Sequence, residues 1–140
     1  MSERDGPFSI LLVEQDPEVN ELFQQMLEAM GYEVHATTSP MSALEYARTR
    51  APSVVFTSLV FYGSINGFEL CSELRNLPQT ESSLIVALTG LSYDGVEEIA
   101  KATGFDHYFL KPIGMDMLMK IVALIETEKN KPAVFDGAAG

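Results

Sequence analysis

Polar residues that could take part in chemistry follow four apolar segments of the chain. These groups are Glu14-Gln15-Asp16, Thr57-Ser58, Thr89-Gly90 and Lys111-Pro112. Carboxylates ligate hard divalent cations, hydroxyls donate and accept hydrogen bonds, and an ammonium group neutralises anionic oxygens. Together the four groups contain the parts of a polar site, provided that the fold brings them together.

One of the four groups lacks an acid. It lies in the segment VVFTSLVFYGSINGFEL (54–70), which is typical of a buried strand, a loop and the start of a helix. No Asp or Glu occurs between Ala51 and Phe68. A strand end often carries chemistry, so this site is active, altered or empty.

Apolar runs and turn residues predict alternating strands and helices. The predicted strands cover 8–14, 32–37, 53–57, 83–89 and 107–110. The helices begin at Asp16-Pro17 and Ser39-Pro40 and then cover 68–77, 92–102 and 114–127, with Ser92 as the expected cap of the fourth. Helical spacing predicts that Leu22 of the first helix and Ile99 of the fourth face the core.

The order of these elements is (βα)₅, which predicts an α/β fold. Short connections between alternating strands and helices favour one parallel sheet covered by helices on both faces, giving three layers. In such sheets a site lies at the carboxyl ends of the strands, where all four polar groups fall. We expect one domain over residues 8–128, with flexible termini at 1–7 and 129–140.

Charge and composition exclude several classes of function. The chain has 140 residues, nine Lys and Arg, twenty Asp and Glu, and a net charge of −11, which opposes nucleic-acid binding. No apolar run approaches the roughly 18 residues that a membrane span needs, and the first residues lack a signal-peptide pattern. The single cysteine, Cys71, fits a small core residue. We expect a cytoplasmic protein that does not associate with membranes.

Four motifs occur in an order and spacing that is specific as a set. ILLVEQDPEV, NGFELCSELR, IVALTG and ATGFDHYFLKPIG together resemble the receiver domain of two-component response regulators over residues 8–128. The resemblance implies a flavodoxin-like fold with five parallel strands in the order 2-1-3-4-5. It also implies a signalling module, not an enzyme, in which a histidine kinase donates a phosphoryl group to an Asp with Mg²⁺ bound.

At several positions this chain has the residue type that is typical of the family. Thr89 stands where the family has a Thr or Ser at the end of the fourth strand. Lys111 and Pro112 stand at its Lys-Pro site, so the resemblance implies a cis peptide bond before Pro112. Tyr108 stands at the aromatic residue of the fifth strand that responds to phosphorylation.

The acidic positions of the family are altered. Glu14 occupies the first, but Gln15 occupies the second, where the family has a metal-ligating acid. Counting from Pro52 places the phosphoacceptor position on Ser58. Counting back from NGFEL places it on Leu59 unless the loop carries one extra residue, and apolar alternation favours Ser58.

These replacements predict a receiver-like module that works without phosphorylation of an Asp. By this alignment only Glu14 opposes Lys111, so the site is nearly neutral and we expect Mg²⁺ binding to be weak or absent. Asp16 could replace Gln15 after a one-residue slip, although its place before Pro17 favours an N-cap. The alternative function is an active phosphoacceptor at Ser58 or Thr57, for which the motif offers no evident base.

The last predicted helix is unusually apolar and raises the question of a partner. Met115, Met117 and Met119 cannot all face the sheet at helical spacing. One interpretation is a broad, partly covered helix. The other is a Met-rich contact surface for a signalling protein, such as a histidine kinase or an output partner, or for a second copy of the chain. The family's common interface of fourth helix, fifth strand and fifth helix supports the second interpretation.

Overall fold

The computed structural model describes residues 8–63 and 65–130. The strands are β1 (Ser9–Val13), β2 (Glu33–Thr37), β3 (Val54–Thr57), β4 (Leu84–Thr89) and β5 (His107–Leu110). The helices are α1 (Pro17–Ala29), α2 (Pro40–Thr49), α3 (Gly67–Arg75), α4 (Val96–Thr103) and α5 (Met115–Lys129). The termini predicted to be flexible were 1–7 and 129–140; of these, Lys129 is the last residue of α5 and Asn130 is its C-cap, and the rest lie outside the described residues. The predicted domain boundary at residue 128 falls inside α5.

The strands form one parallel sheet in the order β2-β1-β3-β4-β5, which confirms the predicted fold class. Val13 at the end of β1 pairs with Thr37 of β2 on one side and with Thr57 of β3 on the other. Thr89 at the end of β4 pairs with Leu110 of β5. Because the strands end at one edge in this register, the polar residues that follow them meet there.

The core lies on both faces of the sheet, and the helices divide between them. On one face Leu11, Val55 and Ile85 pack with buried residues of α2, α3 and α4. On the other face Leu12 and Phe56 pack with buried residues of α1 and α5. The central strands are therefore apolar on both sides, as parallel strands between two helical layers must be.

Local capping explains where most helices begin. The Asp16 carboxylate accepts hydrogen bonds from the amides of Glu18 and Val19, so Asp16 is the N-cap of α1. Asn66 and Glu69 form a reciprocal capping box at the start of α3. The predicted start of α4 at Ser92 is wrong. That helix begins at Val96, after Gly95 in a left-handed conformation with φ of 89°.

Two predicted core residues are exposed instead. Leu22 of α1 retains 52% of its accessible surface and Ile99 of α4 retains 46%. In α1 the buried arc is filled by Phe23 and Leu27, which lie one turn apart. Leu22 precedes Phe23 by about 100° around the helix and therefore points to the side of this arc. Within the described residues, no helix is long and apolar enough to span a membrane.

Candidate functional site

An open cleft of about 440 Å³ lies at the carboxyl edge of the sheet. It is lined by Glu14, Gln15, Asp16, Ser58, Val60, Tyr62, Thr89, Gly90, Leu91 and Lys111. All four polar groups singled out from the sequence thus contribute to one site. The β3–α3 loop adds Val60 and Tyr62, which the sequence did not indicate.

Glu14 is the centre of the cleft's hydrogen bonding. Its Oε1 accepts a hydrogen bond from the Ser58 hydroxyl at 2.8 Å and forms an ion pair with the Lys111 ammonium. Its Oε2 accepts from the amide of Asp16 at 3.0 Å. Lys111 Nζ also lies 3.4 Å from Ser58 Oγ. Both oxygens of this buried carboxylate therefore have partners, as a buried charge requires.

Of the two alternatives for the acceptor-equivalent position, Ser58 lies in the cleft. Its backbone amide donates to the Val13 carbonyl at 3.1 Å, which continues the pairing of β1 with β3 by one residue. Leu59 points away and is buried in the core beneath α2 and α3.

The Glu14 carboxylate lies beside Ser58, where the sequence offered no evident base. The Glu14 carboxylate accepts a hydrogen bond directly from the Ser58 hydroxyl. The sequence did not reveal this contact because Glu14 and Ser58 lie 44 positions apart and meet only through the β1–β3 register. The same oxygen is ion-paired with Lys111.

Gln15 has a structural role in the cleft. Its amide oxygen accepts a hydrogen bond from the Tyr62 backbone amide at 2.8 Å, joining the β1–α1 loop to the β3–α3 loop. Asp16 is occupied as the N-cap of α1. Across residues 8–63 and 65–130, no three His, Cys, Asp or Glu side chains converge to hold a metal ion.

Thr57 is not part of the open site. Its side chain is buried, and its hydroxyl donates to the Ser58 carbonyl at 2.9 Å. A phosphate donor could not reach this hydroxyl without displacing the end of β3. The geometry therefore separates the two residues that the sequence had offered as alternative acceptors.

Thr89 and Tyr108 both hydrogen-bond to the backbone of Leu91. Thr89 Oγ1 accepts from the Leu91 amide at 3.1 Å, and the Tyr108 hydroxyl donates to the Leu91 carbonyl. The β4–α4 loop is thereby tied to both β4 and β5. Tyr108 packs against the α2–α3–α4 side of the core, so its ring points inward.

Lys111 begins the β5–α5 connection. Its amide donates to the Thr89 carbonyl at 2.8 Å, and the Lys111–Pro112 peptide bond is cis. The side chain is then directed across the cleft to Glu14. Thr89 and Lys111, which the sequence placed in one site, are therefore joined through the backbone as well.

The three methionines of α5 lie on two different sides of the helix. Met115, Met117 and Met119 keep 38%, 42% and 52% of their surface exposed. Glu126 accepts a hydrogen bond from Tyr32, near the end of α1, whereas Glu128 binds His107 of β5 at 3.0 Å. By helical periodicity Met115 and Met119 share the side of Glu126, and Met117 shares the side of Glu128. A Met-rich contact surface, one of the two interpretations of the sequence, would therefore be divided between two sides of α5.

Neither histidine lies in the cleft. His35 stacks on Tyr46 of α2, with ring centroids 3.8 Å apart. His107 pairs with Glu128 at the far end of α5. The structure therefore offers no imidazole to the Ser58 hydroxyl among the residues it describes.

Gly67 is a residue of the site that the sequence did not single out. It is the first residue of α3, and its amide donates to the Leu59 carbonyl at 2.9 Å. A Cβ at this position would lie 2.2 Å from the Ser58 carbonyl oxygen and 2.6 Å from Leu59 Cα. Only glycine therefore lets α3 begin this close to the end of β3, where Ser58 is presented.

The fold, with polar residues gathered at the carboxyl ends of its strands, defines a receiver-type α/β domain. The chain matches the family model for the response regulator receiver domain over residues 10–123, and it belongs to that family. The polar-differentiation response regulator DivK of Brucella anthropi is 28% identical over 117 residues, which cover 83% of this chain and 94% of DivK.

Solved structures show the same fold. A CheY-like response regulator receiver domain from Methylobacillus flagellatus is similar with a TM-score of 0.76 and 31% identity, covering 86% of this chain and 99% of that one. The receiver domain of the Pseudomonas aeruginosa sensor histidine kinase PA1611, which holds a magnesium ion in its active-site cleft, has a TM-score of 0.78 and 23% identity. It covers 86% of this chain and 98% of that one. The chain is thus a receiver domain of two-component signalling.

Proposed function

We propose that this receiver domain acts in signalling as a protein–protein interaction module, without phosphorylation of an Asp. The observation that carries the proposal is the set of contacts around Ser58. At the acceptor-equivalent position a hydroxyl donates to Glu14 and lies 3.4 Å from Lys111. The groups that would act on a phosphoryl group are thus engaged with one another, and the chain performs no catalysis of its own.

The chemistry of the replacement supports this reading. A carboxylate is ionised at neutral pH and can attack phosphorus, whereas a serine hydroxyl must first lose its proton. The nearby Glu14 carboxylate already binds both the Ser58 hydroxyl and the Lys111 ammonium. Transfer of a phosphoryl group to Ser58, by the route that the family uses for its Asp, is therefore disfavoured.

The residues of the cleft do not fit a resident Mg²⁺ ion. Mg²⁺ requires near-octahedral oxygen ligands and is bound through carboxylates. Glu14 supplies the one buried carboxylate of the cleft, and its oxygens bind Ser58, Lys111 and the Asp16 amide. Gln15 contributes no charge, and its amide oxygen binds Tyr62. We therefore propose that Mg²⁺ binds weakly or not at all.

Intact-mass spectrometry after incubation with acetyl phosphate and Mg²⁺ tests the proposal. We expect an unmodified mass. A phosphate adduct that maps to Ser58 would refute the proposal. The matched gain-of-function variant is the double change Gln15→Asp with Ser58→Asp, which should bind Mg²⁺ with a dissociation constant below about 1 mM in an amide-shift titration.

A second candidate function is phosphorylation of Ser58 itself. The observation that favours it is the 2.8 Å hydrogen bond from the Ser58 hydroxyl to Glu14, an arrangement in which a base touches a nucleophile. The product would be a stable serine ester, unlike a labile acyl phosphate. Phosphate on Ser58 that survives mild base treatment, formed with a cognate histidine kinase, would establish this function in place of the first.

The proposed partners are signalling proteins of the two-component type, either a histidine kinase or an output protein. A second copy of the chain is a further possible partner through the exposed methionines of α5. We propose that residues 8–128 act as one unit in the cytoplasm. Nucleic acid is an unfavourable partner because the chain carries a net charge of −11.

A further inference from the structure

The cleft at the carboxyl edge of the sheet has apolar lining residues as well as polar ones. Val60, Tyr62 and Leu91 form the apolar part of its lining. Val60 keeps 47% of its accessible surface exposed and Tyr62 keeps 82%. The hydrogen bonds that the structure describes around Glu14 involve none of these three side chains. Because large apolar side chains that lie together in the open often mark a binding surface, this lining is available to a ligand.

The backbone that carries the Tyr62 ring is held in place. The Tyr62 amide donates a hydrogen bond to the Gln15 side chain at 2.8 Å. The preceding residue, Phe61, is buried in the core on the side of α2 and α3. A loop that is fixed before a ligand arrives loses little conformational freedom on binding, which favours affinity. The exposed ring of Tyr62 is therefore presented to the cleft from a fixed backbone.

One carboxylate of the cleft has no counter-ion among the described residues. Glu14 and Lys111 neutralise each other, whereas Asp16, which lines the same cleft, forms no ion pair within residues 8–63 and 65–130. The two hydrogen bonds that Asp16 accepts as the N-cap of α1 both use Oδ1, so Oδ2 is left for a ligand. Its neighbour Gln15 binds the Tyr62 amide, so the carboxylate and the ring lie in one part of the cleft. The net charge of −11 further favours a cationic ligand.

We infer that the cleft binds a small organic cation, namely an amine that carries an aromatic ring. The ammonium group binds Asp16, and the ring packs on Tyr62 and Val60. The cleft volume of about 440 Å³ lies within the range of roughly 300–1,000 Å³ that small-molecule sites occupy. Such a ligand suits a site that does not fit Mg²⁺, because it needs one carboxylate and brings its own apolar surface. The inference rests on the proposed function and gives it an input signal other than phosphorylation.

Leu91 connects this ligand site with β5. It contributes to the lining of the cleft, its amide donates to Thr89 Oγ1, and its carbonyl accepts from the Tyr108 hydroxyl. A ligand that packs on Leu91 therefore contacts the loop that these two hydrogen bonds hold. Binding should shift the amide resonance of Tyr108 as well as those of the cleft residues, although the ligand does not touch β5.

The test is a ¹H–¹⁵N titration of the full chain with three probes at neutral pH. Phenethylamine carries both the ring and the ammonium group, 3-phenylpropanoate replaces the ammonium group by a carboxylate, and propylamine lacks the ring. We expect phenethylamine to shift the amides of Asp16, Tyr62 and Leu91 and to saturate with a dissociation constant of about 1 mM. The other two probes should bind about fivefold more weakly or worse, because each lacks one of the two contacts.

Variants locate the two contacts. Tyr62→Ser should weaken phenethylamine binding by about fivefold. Its matched control, Tyr93→Ser, changes another exposed tyrosine that does not line the cleft and should alter affinity by less than about twofold. Asp16→Asn keeps a good N-cap residue but removes the charge, so it should abolish the preference for phenethylamine over 3-phenylpropanoate. Asp116→Asn, at an acid of α5 outside the lining, should retain that preference. Circular dichroism establishes that the variants are folded.

Several outcomes would overturn the inference. The absence of saturable shifts with phenethylamine, or shifts confined to residues outside the cleft, would exclude the site. Equal binding of 3-phenylpropanoate would contradict the charge argument, and unchanged binding to Tyr62→Ser would contradict the role of the ring. Tighter binding of N-acetylarginine amide than of phenethylamine would assign the cleft to a side chain of a partner protein. The titration uses the unmodified chain, so a phosphate adduct in the intact-mass test would refute the proposed function without changing these affinities.

Discussion

Replacing Gly67 by Ala tests whether the close approach of α3 to β3 presents Ser58. The added Cβ would lie 2.2 Å from the Ser58 carbonyl oxygen, whereas carbon–oxygen contacts are normally about 3.3 Å or longer. The helix or the strand end must therefore move by about 1 Å. Because both sides of the contact are backbone, no side chain can rotate away to relieve it.

Two opposing effects decide the sign of the change. Overpacking of this kind costs about 1–3 kcal/mol and occasionally more. Ala is intrinsically better than Gly inside a helix by at most about 1 kcal/mol, and Gly67 is only the first residue of α3. With a contact this short we place the cost of overpacking at the upper end of its range. After the gain in helix propensity is subtracted, we expect the free energy of unfolding to fall by about 2 kcal/mol.

Urea unfolding followed by circular dichroism measures this change, since the chain has no tryptophan. The matched control is Gly90→Ala, another glycine of the cleft, whose Cβ would meet no atom within 4 Å. It should change stability by less than about 0.5 kcal/mol. The reasoning is refuted if Gly67→Ala is as stable as the control and leaves the amide shift of Ser58 unchanged.

Three further predictions concern single side chains. Lys111→Met should destabilise the fold by about 3 kcal/mol in urea unfolding because it leaves the buried Glu14 carboxylate unpaired, and the added change Glu14→Gln should recover part of this loss. Gln15→Ala should cost about 1 kcal/mol and speed hydrogen exchange at the Tyr62 amide, while unchanged exchange would argue against the loop contact. Burial raises the pKa of the Cys71 thiol from 9.0 to about 11, so the neutral thiol favours the folded state. The contribution of this thiol to the free energy of unfolding is fully present below pH 9. It is lost as the pH rises to 11, which lowers the free energy of unfolding by about 2–3 kcal/mol, and Cys71→Ala should not show this decrease.

Much of the fold could be predicted from the sequence because local signals agree with the tertiary arrangement. Asp16-Pro17 and Ser39-Pro40 are strong helix starts, and short apolar runs rich in branched residues and bounded by turn residues favour buried strands. The start of α4 was misplaced because Ser92 is a good capping residue, whereas Gly95 begins the helix through a backbone conformation that composition does not reveal. Leu22 was assigned to the core because periodicity identifies the apolar side of a helix. It does not show how much of that side the neighbouring elements bury.

The polar side chains at the strand ends could be assigned to one site from the sequence, but the hydrogen bonds between them could not. Glu14, Ser58 and Lys111 could be placed at one edge of the sheet because parallel strands end together. The hydrogen bond between Glu14 and Ser58 depends on the β1–β3 register and on side-chain rotamers, neither of which has a sequence signal. The contact of Gln15 with the Tyr62 amide was missed because its partner is backbone, which every residue offers.

The bonding of Glu14 to both Ser58 and Lys111 also limits which sequences lie one substitution away. An Asp at position 58 alone would set a second carboxylate close to Glu14, with one Lys to neutralise both. An Asp at position 15 alone would add negative charge and lose the amide oxygen's contact with Tyr62. Each step towards an acidic cleft is thus unfavourable until the other acid and a cation arrive with it, so we expect neither Asp alone to be tolerated as well as the pair with a cation bound.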